Sequence, residues 1–539
     1  MAARPCEFES HPEHRHRGVI KKINLNIVYT QNSQSDTLTK AGLIAGISLI
    51  LGLLFDYFFV EKILGIAFPL YIALVIMGLF TVARFFKKRL NKDVLWLLAP
   101  LMFFSIMVFV RSSELLTFFN VVASLLLLLI IAEVSLGEKV KNFLDEYYIK
   151  IFFLPFKFIR PLFQTLSDLL SLREVNKDQR VLSRVTKGVL MSVPVLSVFL
   201  LLFSLADLIF KKYVLDLIGI DIESETIVRS VLVLIVALVY IGAYSYTFRR
   251  TENKIVAHQN DKTRGIGHIE SSILLGSVNV LFFIFILVQL TYLFGGDNNI
   301  SVQGFTYAEY ARRGFFELIV VAIISLLLLL STERYIAKKE TGHALGFKVF
   351  SAMLVVQVIL IMASAFIRLS LYERAYGFTT QRFYSHAFIV LLAIIFCLLL
   401  YKIYKNKREN VFAFQVFISI VLFLAIMNFL NPEAFIARRN IERFITAGKL
   451  DIYYLSRLSS DALPDTIKIL NMPDNDLKKS FAHSIYLGVH DGSAFDFSKW
   501  QSLNISRIKA DKILKSRMSE IELYKDYQQQ NFDWTERYQ

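Results

Sequence analysis

Three polar segments rich in Arg, Tyr and acidic residues interrupt an otherwise apolar chain, and its chemistry is concentrated in them. The first runs Phe305–Glu317, where Glu309, Arg313 and Glu317 recur every four residues as a charge ladder on one helical face, beside Tyr307, Tyr310 and Arg312. The second, Arg368–Ser385, holds Arg368, Tyr372, Glu373, Arg374, Tyr376 and Arg382 between two long apolar runs. The third opens on Asn431-Pro432-Glu433 and carries Arg438 and Glu442 four apart. Guanidinium groups offer bidentate donors to phosphate or carboxylate, and Tyr offers both a wall and a hydroxyl. The expectation is a basic pocket for an anionic head group or carboxylate, with Arg313, Arg368, Arg382 and Arg438 converging and Tyr310, Tyr372 and Tyr376 as walls. The competing reading pairs these groups with one another at helix ends. Exposed pairs contribute only ~0.3–0.5 kcal/mol each, so stability alone gives a weak reason for so many Arg and Tyr at one boundary. Interfacial Tyr belts and snorkelling Arg account for part of the excess. Glu309 and Glu373 are the acids best placed to act as a base.

Other chemistries find no support. Gly265-Ile266-Gly267 lacks the flanking strand and third glycine of a phosphate loop. His268 and His386 are lone histidines near span ends, and the two cysteines, Cys6 and Cys397, give neither a disulfide framework nor metal-ligand spacing. His11, His14 and His16 cluster in a polar N-terminal tail, where a disordered basic segment is the preferred reading over a metal site. No metal or cofactor is expected, no catalytic residue is identified, and the balance is against an enzyme.

The segments need a scaffold, and composition supplies it. The chain has 539 residues, of which 55% are hydrophobic, and a formal net charge of +15. Apolar runs long enough to cross ~30 Å of hydrocarbon recur along it. They fall near 41–60, 63–83, 94–110, 115–133, 188–210, 227–247, 269–294, 315–332, 347–370, 383–404 and 411–430, which makes about eleven spans. Asn279, Gln289 and Gln357 are polar at depth and are read as interhelical hydrogen bonds. The cations lie mostly in alternate loops, as in Arg84–Lys92, 139–187, 249–264, Lys338-Lys339 and Lys402–Arg408, so the excess charge reads as positive-inside bias and not as nucleic-acid binding. That puts the N-terminus in the cytoplasm and the C-terminus outside, with the three polar segments together on the outer face. The expected fold is all-α: a polytopic bundle over 41–430, a cytoplasmic tail over 1–40, and a small helical extracytoplasmic domain over 431–539. Within the long inner loop at about 134–187, Ile151–Phe163 is apolar, broken by Pro155 and Pro161, and expected to lie along the membrane surface. Gly377 and Gly448 are placed to stop helices. Thr379 or Thr380, Asn431, Asp451 and Asp461 are placed to start them.

Leu64–Leu70, Tyr307–Phe316, Arg368–Arg382 and Asn431–Arg443 together resemble a family of bacterial polytopic membrane proteins, domain of unknown function 4173, which is related to 4153. The resemblance extends from about Gly52 to Pro464 and leaves out the tail to about Asn32. It implies a multi-pass protein of the bacterial cytoplasmic membrane and supplies no activity. The function expected is binding of an anionic or lipid-derived ligand, or of an envelope partner, at the outer face, with the lipid bilayer as surroundings. A transporter or flippase, and a membrane-embedded transferase acting on a lipid-linked substrate, are the alternatives. Transporters usually show ionisable residues at the midplane or two similar halves, and neither is evident here.

Reporter fusions test the orientation. Fusions after Leu430 are expected to report the outside and fusions within 250–265 the cytoplasm. A cytoplasmic signal after Leu430 would remove the outer-face site.

Overall fold

The computed structural model describes residues 12–135, 137, 140–143, 148, 150–170, 224–249, 268–293, 315–335, 345–405, 407–448, 450–490 and 499–527, with most side chains from Asp36 onward. Every regular element among them is helical. The long helices are α1 (Pro12–Phe59), α2 (Ala67–Phe85), α3 (Lys92–Val110), α4 (Glu114–Val134), α5 (Leu154–Lys157), α6 (Ile159–Leu170), α7 (Ser224–Arg249), α8 (His268–Leu293), α9 (Phe315–Tyr335), α10 (Leu345–Tyr376), α11 (Thr380–Lys405) and α12 (Glu409–Leu430), α5 being a single turn. Five shorter helices follow: α13 (Pro432–Ala447), α14 (Ile452–Ser456), α15 (Leu463–Thr466), α16 (Asn475–His490) and α17 (Ile505–Glu522).

Nine helices among the described residues are long and apolar enough to cross a bilayer: α1 from Asp36, α2, α3, α4, α7, α8, α10, α11 and α12. α9 covers the run expected at 315–332, and the run at 188–210 lies outside the described residues. The described residues are therefore all helical or irregular, and their nine apolar helices are those of a multi-pass membrane protein. Its first helix begins at Pro12, within the tail expected to be disordered. Pro suits a first helical position, and no second proline follows before Pro69 to end the helix.

The chain divides into two compact units, residues 1–60, 73–90 and 153–252 in one and the remainder in the other. In the first unit α1 and α7 approach closely at Gly52, where a Cβ would collide with the Val233 carbonyl oxygen. Arg229 grips Asp56 with Nε and Nη2, each 2.9 Å from a carboxylate oxygen. Pro155 and Pro161 sit in the first turns of α5 and α6 and so start these helices. Leu154 and Phe158 are buried, whereas Phe153, Phe156 and Ile159 are exposed.

In the second unit α8–α11 share an apolar core that includes Leu275, Leu318, Leu354, Val358, Leu392 and Phe396. Polar groups at depth bridge helices as expected. Asn279 donates to the Phe350 carbonyl at 3.0 Å, and Gln357 donates to the Asn279 carbonyl at 3.1 Å. The side chain of Gln289 is outside the described set. Between α4 and α12, Asn120 and Asn428 exchange reciprocal amide bonds at 2.8 Å, a pair the sequence did not single out. The helices after Leu430 have a core of their own, with Ala437, Leu455, Ile469, Phe481, Ala510 and Leu514 buried together.

One expectation is corrected here. Lys402, counted among the loop cations, is buried, with its Nζ 2.8 Å from Glu333 on α9 and over the Phe412 ring. Hydropathy places Lys402 at a helix end, but the packing of α9 and α12 closes over it. Removing one member of a buried pair strands the other charge, at a cost of ~3–5 kcal/mol. Lys402→Leu alone is therefore expected to lower the thermal midpoint in detergent sharply, and Lys402→Leu with Glu333→Leu to recover most of the loss. Equal destabilisation by the single and double variants would show that the charges do not act as a pair.

Candidate functional site

All the contacts described here lie within the second unit. The turn between α10 and α11 is set by Gly377, whose φ of 83° is a left-handed value that only glycine adopts without strain. Arg382 N–H lies 3.4 Å from the Thr379 hydroxyl, which identifies the capping residue. α13 docks on this turn. The Asn440 amide accepts from Phe378 N–H and donates to the Phe378 carbonyl, both at 2.8 Å, so one side chain completes both backbone groups of a residue in the turn. A Cβ on residue 377 would strike the Asn440 Oδ1. Arg443 Nε donates to the Arg374 carbonyl at 3.0 Å, and Thr380 N–H donates to the Tyr454 hydroxyl at 2.8 Å. Burial raises the Tyr454 phenol above its ordinary pKa, so this oxygen stays protonated and neutral. Phe435 packs on Phe383 and Phe378 with ring centroids 5.4 and 6.3 Å apart.

Two of the three polar segments are thus brought together, and the contact runs largely through backbone groups. Arg382 lies over the Tyr372 ring at 4.0 Å and donates to the Gly377 carbonyl. The Tyr372 and Tyr376 rings meet at a tilt of 56° with centroids 5.0 Å apart. Arg368 is buried, and Glu373 Oε1 stands 3.2 Å from His386 Nδ1. Arg438 lies half-exposed, 3.6 Å from Asp465, and Glu442 pairs with its neighbour Arg439 at 3.1 Å. Tyr307, Glu309, Tyr310, Arg312 and Arg313 lie outside the described residues, and Glu317 is exposed on α9.

Sequence reading missed the most connected polar group, Asp461. It was expected to start a helix. Instead its fully buried carboxylate accepts Ser112 N–H at 2.7 Å and Ser113 N–H at 2.8 Å, from the turn between α3 and α4. It also accepts the Ser506 hydroxyl, and Arg111 Nη1 lies 3.8 Å away. Asp461 N–H returns a bond to the Ser112 hydroxyl at 3.0 Å. Glu433 stands beside it, with Oε1 accepting the Ser113 hydroxyl at 2.6 Å and Oε2 accepting Ser459 N–H at 2.7 Å. The open carbonyls at the end of α3 are met by Asn504, which donates to Val108 and Arg111 at 3.1 and 2.8 Å, while the Ser506 hydroxyl oxygen lies 2.9 Å from the Val110 carbonyl. Arg111 donates through Nε and Nη2 to the Asn428 carbonyl, one of the last in α12. Gly65 lies under the same strand of contacts, since a Cβ there would collide with the Leu503 carbonyl, to which Ile66 N–H donates at 2.8 Å.

The start of α13 differs from its sequence signature too. Asn431 has φ 50°, a left-handed value, and its side chain does not cap the helix. The backbone reverses there between α12 and α13, which swings the amide away. It lies 3.5 Å from the Asp461 carbonyl instead. Asp451 does cap α14, accepting Tyr454 N–H at 2.9 Å. Gly448 ends α13 in the left-handed conformation as expected.

Above this network a cleft of about 720 Å³ opens, with Ser112, Glu433, Tyr454, Arg457, Ser460 and Arg507 among its walls. Of the two carboxylates on its walls, Glu433 accepts two hydrogen bonds and Glu114 is exposed at the start of α4. Arg507 Nη1 is buried and has no hydrogen-bond partner. Burial lowers the pKa of this guanidinium, and the charge of Asp461 offsets part of that shift. No group of three or more His, Cys, Asp and Glu able to hold a metal ion occurs among the described residues. The walls carry two arginines and two glutamates, and the open donor among them belongs to the Arg507 guanidinium.

A sequence profile described as "Domain of unknown function (DUF4153)" matches residues 98–469, well over half of the chain. The chain belongs to the DUF4153 family. This is the relative of the family that the quoted segments resembled. No curated protein and no solved structure matches the chain. The DUF4153 region takes in Arg111, Ser112, Ser113, Glu433 and Asp461, whereas Asn504, Ser506 and Arg507 follow it.

Asp461→Ala leaves two buried N–H groups without an acceptor, each costing ~1–3 kcal/mol. It is expected to destabilise the protein by about 2–5 kcal/mol, and Asp461→Asn by less because one carbonyl oxygen remains. Thermal unfolding of the purified chain in detergent checks this. A neutral Asp461→Ala would show that the contact does not hold the turn.

Proposed function

We propose that this protein binds an anionic, phosphate- or carboxylate-bearing ligand in the cleft beneath its C-terminal helices, at the outer face of a bacterial cytoplasmic membrane. The observation that carries this reading is the buried Arg507 Nη1 with no acceptor on the wall of a cleft of about 720 Å³. A buried donor left open costs ~1–3 kcal/mol, and a ligand oxygen removes that cost. The guanidinium fork suits two oxygens of one phosphate or carboxylate. Arg457 and the hydroxyls of Ser460 and Tyr454 stand on the same walls as further donors. Leu115, Leu458, Leu463 and Ile485 add apolar surface among polar groups that include Ser456, Ser459 and Ser484, a mixed lining that suits an amphiphile, such as a lipid-derived phosphate. The residues first singled out by sequence have a supporting part in this reading. Asn440, Arg443 and Arg382 fix the α10–α11 turn, and that turn presents Thr380 to the cleft.

The test is a thermal-shift titration of the full chain in detergent with inorganic phosphate and with short-chain phosphatidic acid. A ligand at 100 times its Kd stabilises by ~2.7 kcal/mol, so a midpoint that rises with concentration is expected. Arg507→Ala should abolish the rise, and Arg438→Ala, on the exposed face of α13, should keep it. A rise with both probes assigns the anion alone, and a rise only with phosphatidic acid assigns the lipid-derived class. No rise with either, or the same rise in Arg507→Ala, would overturn the reading.

A further inference from the structure

A second feature of the same unit lies between two of the candidate spanning helices. Between α10 and α11 runs a groove of about 580 Å³ lined by apolar side chains and Cys397. It extends from Ile359 to Ile367 on α10 and from Ile389 to Leu398 on α11, nine and ten residues of helix and so about 12–14 Å long. One leaflet of a bilayer offers ~15 Å of hydrocarbon. Ala363 and Ala393 leave room on the two facing helices, and Phe366, Ile367, Val390 and Ile394 are exposed along the edges.

The groove has one polar end. Just beyond Phe366, the Ser370 hydroxyl lies 3.1 Å from His386 Nε2, which is also 3.2 Å from the Phe366 carbonyl. The His386 ring meets the ring of Phe366, a lining residue, edge-on with centroids 4.3 Å apart, which puts the imidazole beside that end of the groove. Glu373 Oε1 lies 3.2 Å from Nδ1 without making a hydrogen bond, and Glu373 is only 6% exposed. An apolar channel of leaflet depth that ends on a hydroxyl and an imidazole matches a lipid at the level where its chain meets its ester.

We propose that this groove seats one acyl chain of a diacyl glycerophospholipid, with Ser370 and His386 hydrogen-bonding the ester at its mouth. The seat is separate from the anion cleft and does not depend on it. His386 then has a role the anion reading leaves open: its Nε2 is available beside the Phe366 end of the groove. Ser370, otherwise bonded to the Phe366 carbonyl of its own helix at 2.9 Å, supplies the second oxygen contact.

The full chain is reconstituted in nanodiscs of phosphatidylethanolamine and phosphatidylglycerol containing a phospholipid with a diazirine in its acyl chain. After photolysis, labelled peptides are mapped. Label is expected at several-fold higher density on 359–367 and 389–398 than around Leu281 and Ile284, which are exposed on α8 and serve as ordinary lipid-facing surface. Ala393→Trp fills the groove and should bring its label down to the α8 level. His386→Ala should reduce groove label about fivefold, as for loss of a single hydrogen bond to a ligand, and His386→Gln, which keeps a donor, should restore part of it. Groove label no denser than that on α8 in the unaltered chain overturns the proposal. So does label unchanged in both Ala393→Trp and His386→Ala.

Discussion

The turn between α3 and α4 is three residues long, Arg111 to Ser113, and it must reverse the chain where two apolar helices end. Four carbonyls of the first helix and four N–H groups of the second have no partner inside their own helices. At the edge of hydrocarbon, water is a poor substitute. The chain meets these needs from far away in sequence, with the Asp461 carboxylate on Ser112 and Ser113 N–H, and Asn504 on the carbonyls at the end of α3. A carboxylate is also the right charge for the start of a helix, where the macrodipole is positive. Once Asp461 is fixed there, Glu433 and the α13 helix follow through Ser113 and Ser459. The cleft exists because these anchors hold the C-terminal helices over the turn at fixed points and leave the space between them open.

Much of the scaffold was legible in the sequence. Apolar runs of span length became helices because a chain in lipid must bond its own backbone. The stops at Gly377 and Gly448 and the cap at Asp451 were readable because they depend on residues close in sequence. Asp461 was not readable. Its pattern, an acid three residues before Pro464, is that of a local helix start, and nothing local distinguishes it from a carboxylate that serves a helix 349 residues away. Lys402 failed for the same reason: hydropathy sees a helix end, while burial is decided by Glu333 and Phe412 on other helices. The polar segments were found as segments, yet Asn440 was passed over in favour of the charged residues around it. An amide that both donates and accepts can complete a backbone peptide, and an Arg can only donate.

The DUF4153 match adds a distinction inside the site. Both acids and the turn they hold lie within the matched region, so the anchoring of the C-terminal helices is built from that region's own residues. Arg507 lies beyond it, on the helix that Asn504 caps. The cleft therefore has a floor made from one stretch of chain and its open donor from another. Asn504 joins the two, since its amide donates to α3 carbonyls while its oxygen accepts Arg507 N–H at 3.2 Å.

The arginines can be ranked by what their surroundings cost them. Arg439 pairs with Glu442 on an exposed helix face, where such pairs contribute ~0.3–0.5 kcal/mol and forming or losing one changes little. Arg438 lies half-exposed near Asp465, and water can replace that contact. Arg382 is engaged by a carbonyl and an aromatic ring. Arg507 alone among these four has a buried nitrogen that neither protein nor solvent reaches, at a cost of ~1–3 kcal/mol. An exposed cation needs no ligand to explain it, because water already satisfies it. A buried donor facing an open cleft has no such partner, and it is there that an anion changes the free energy most.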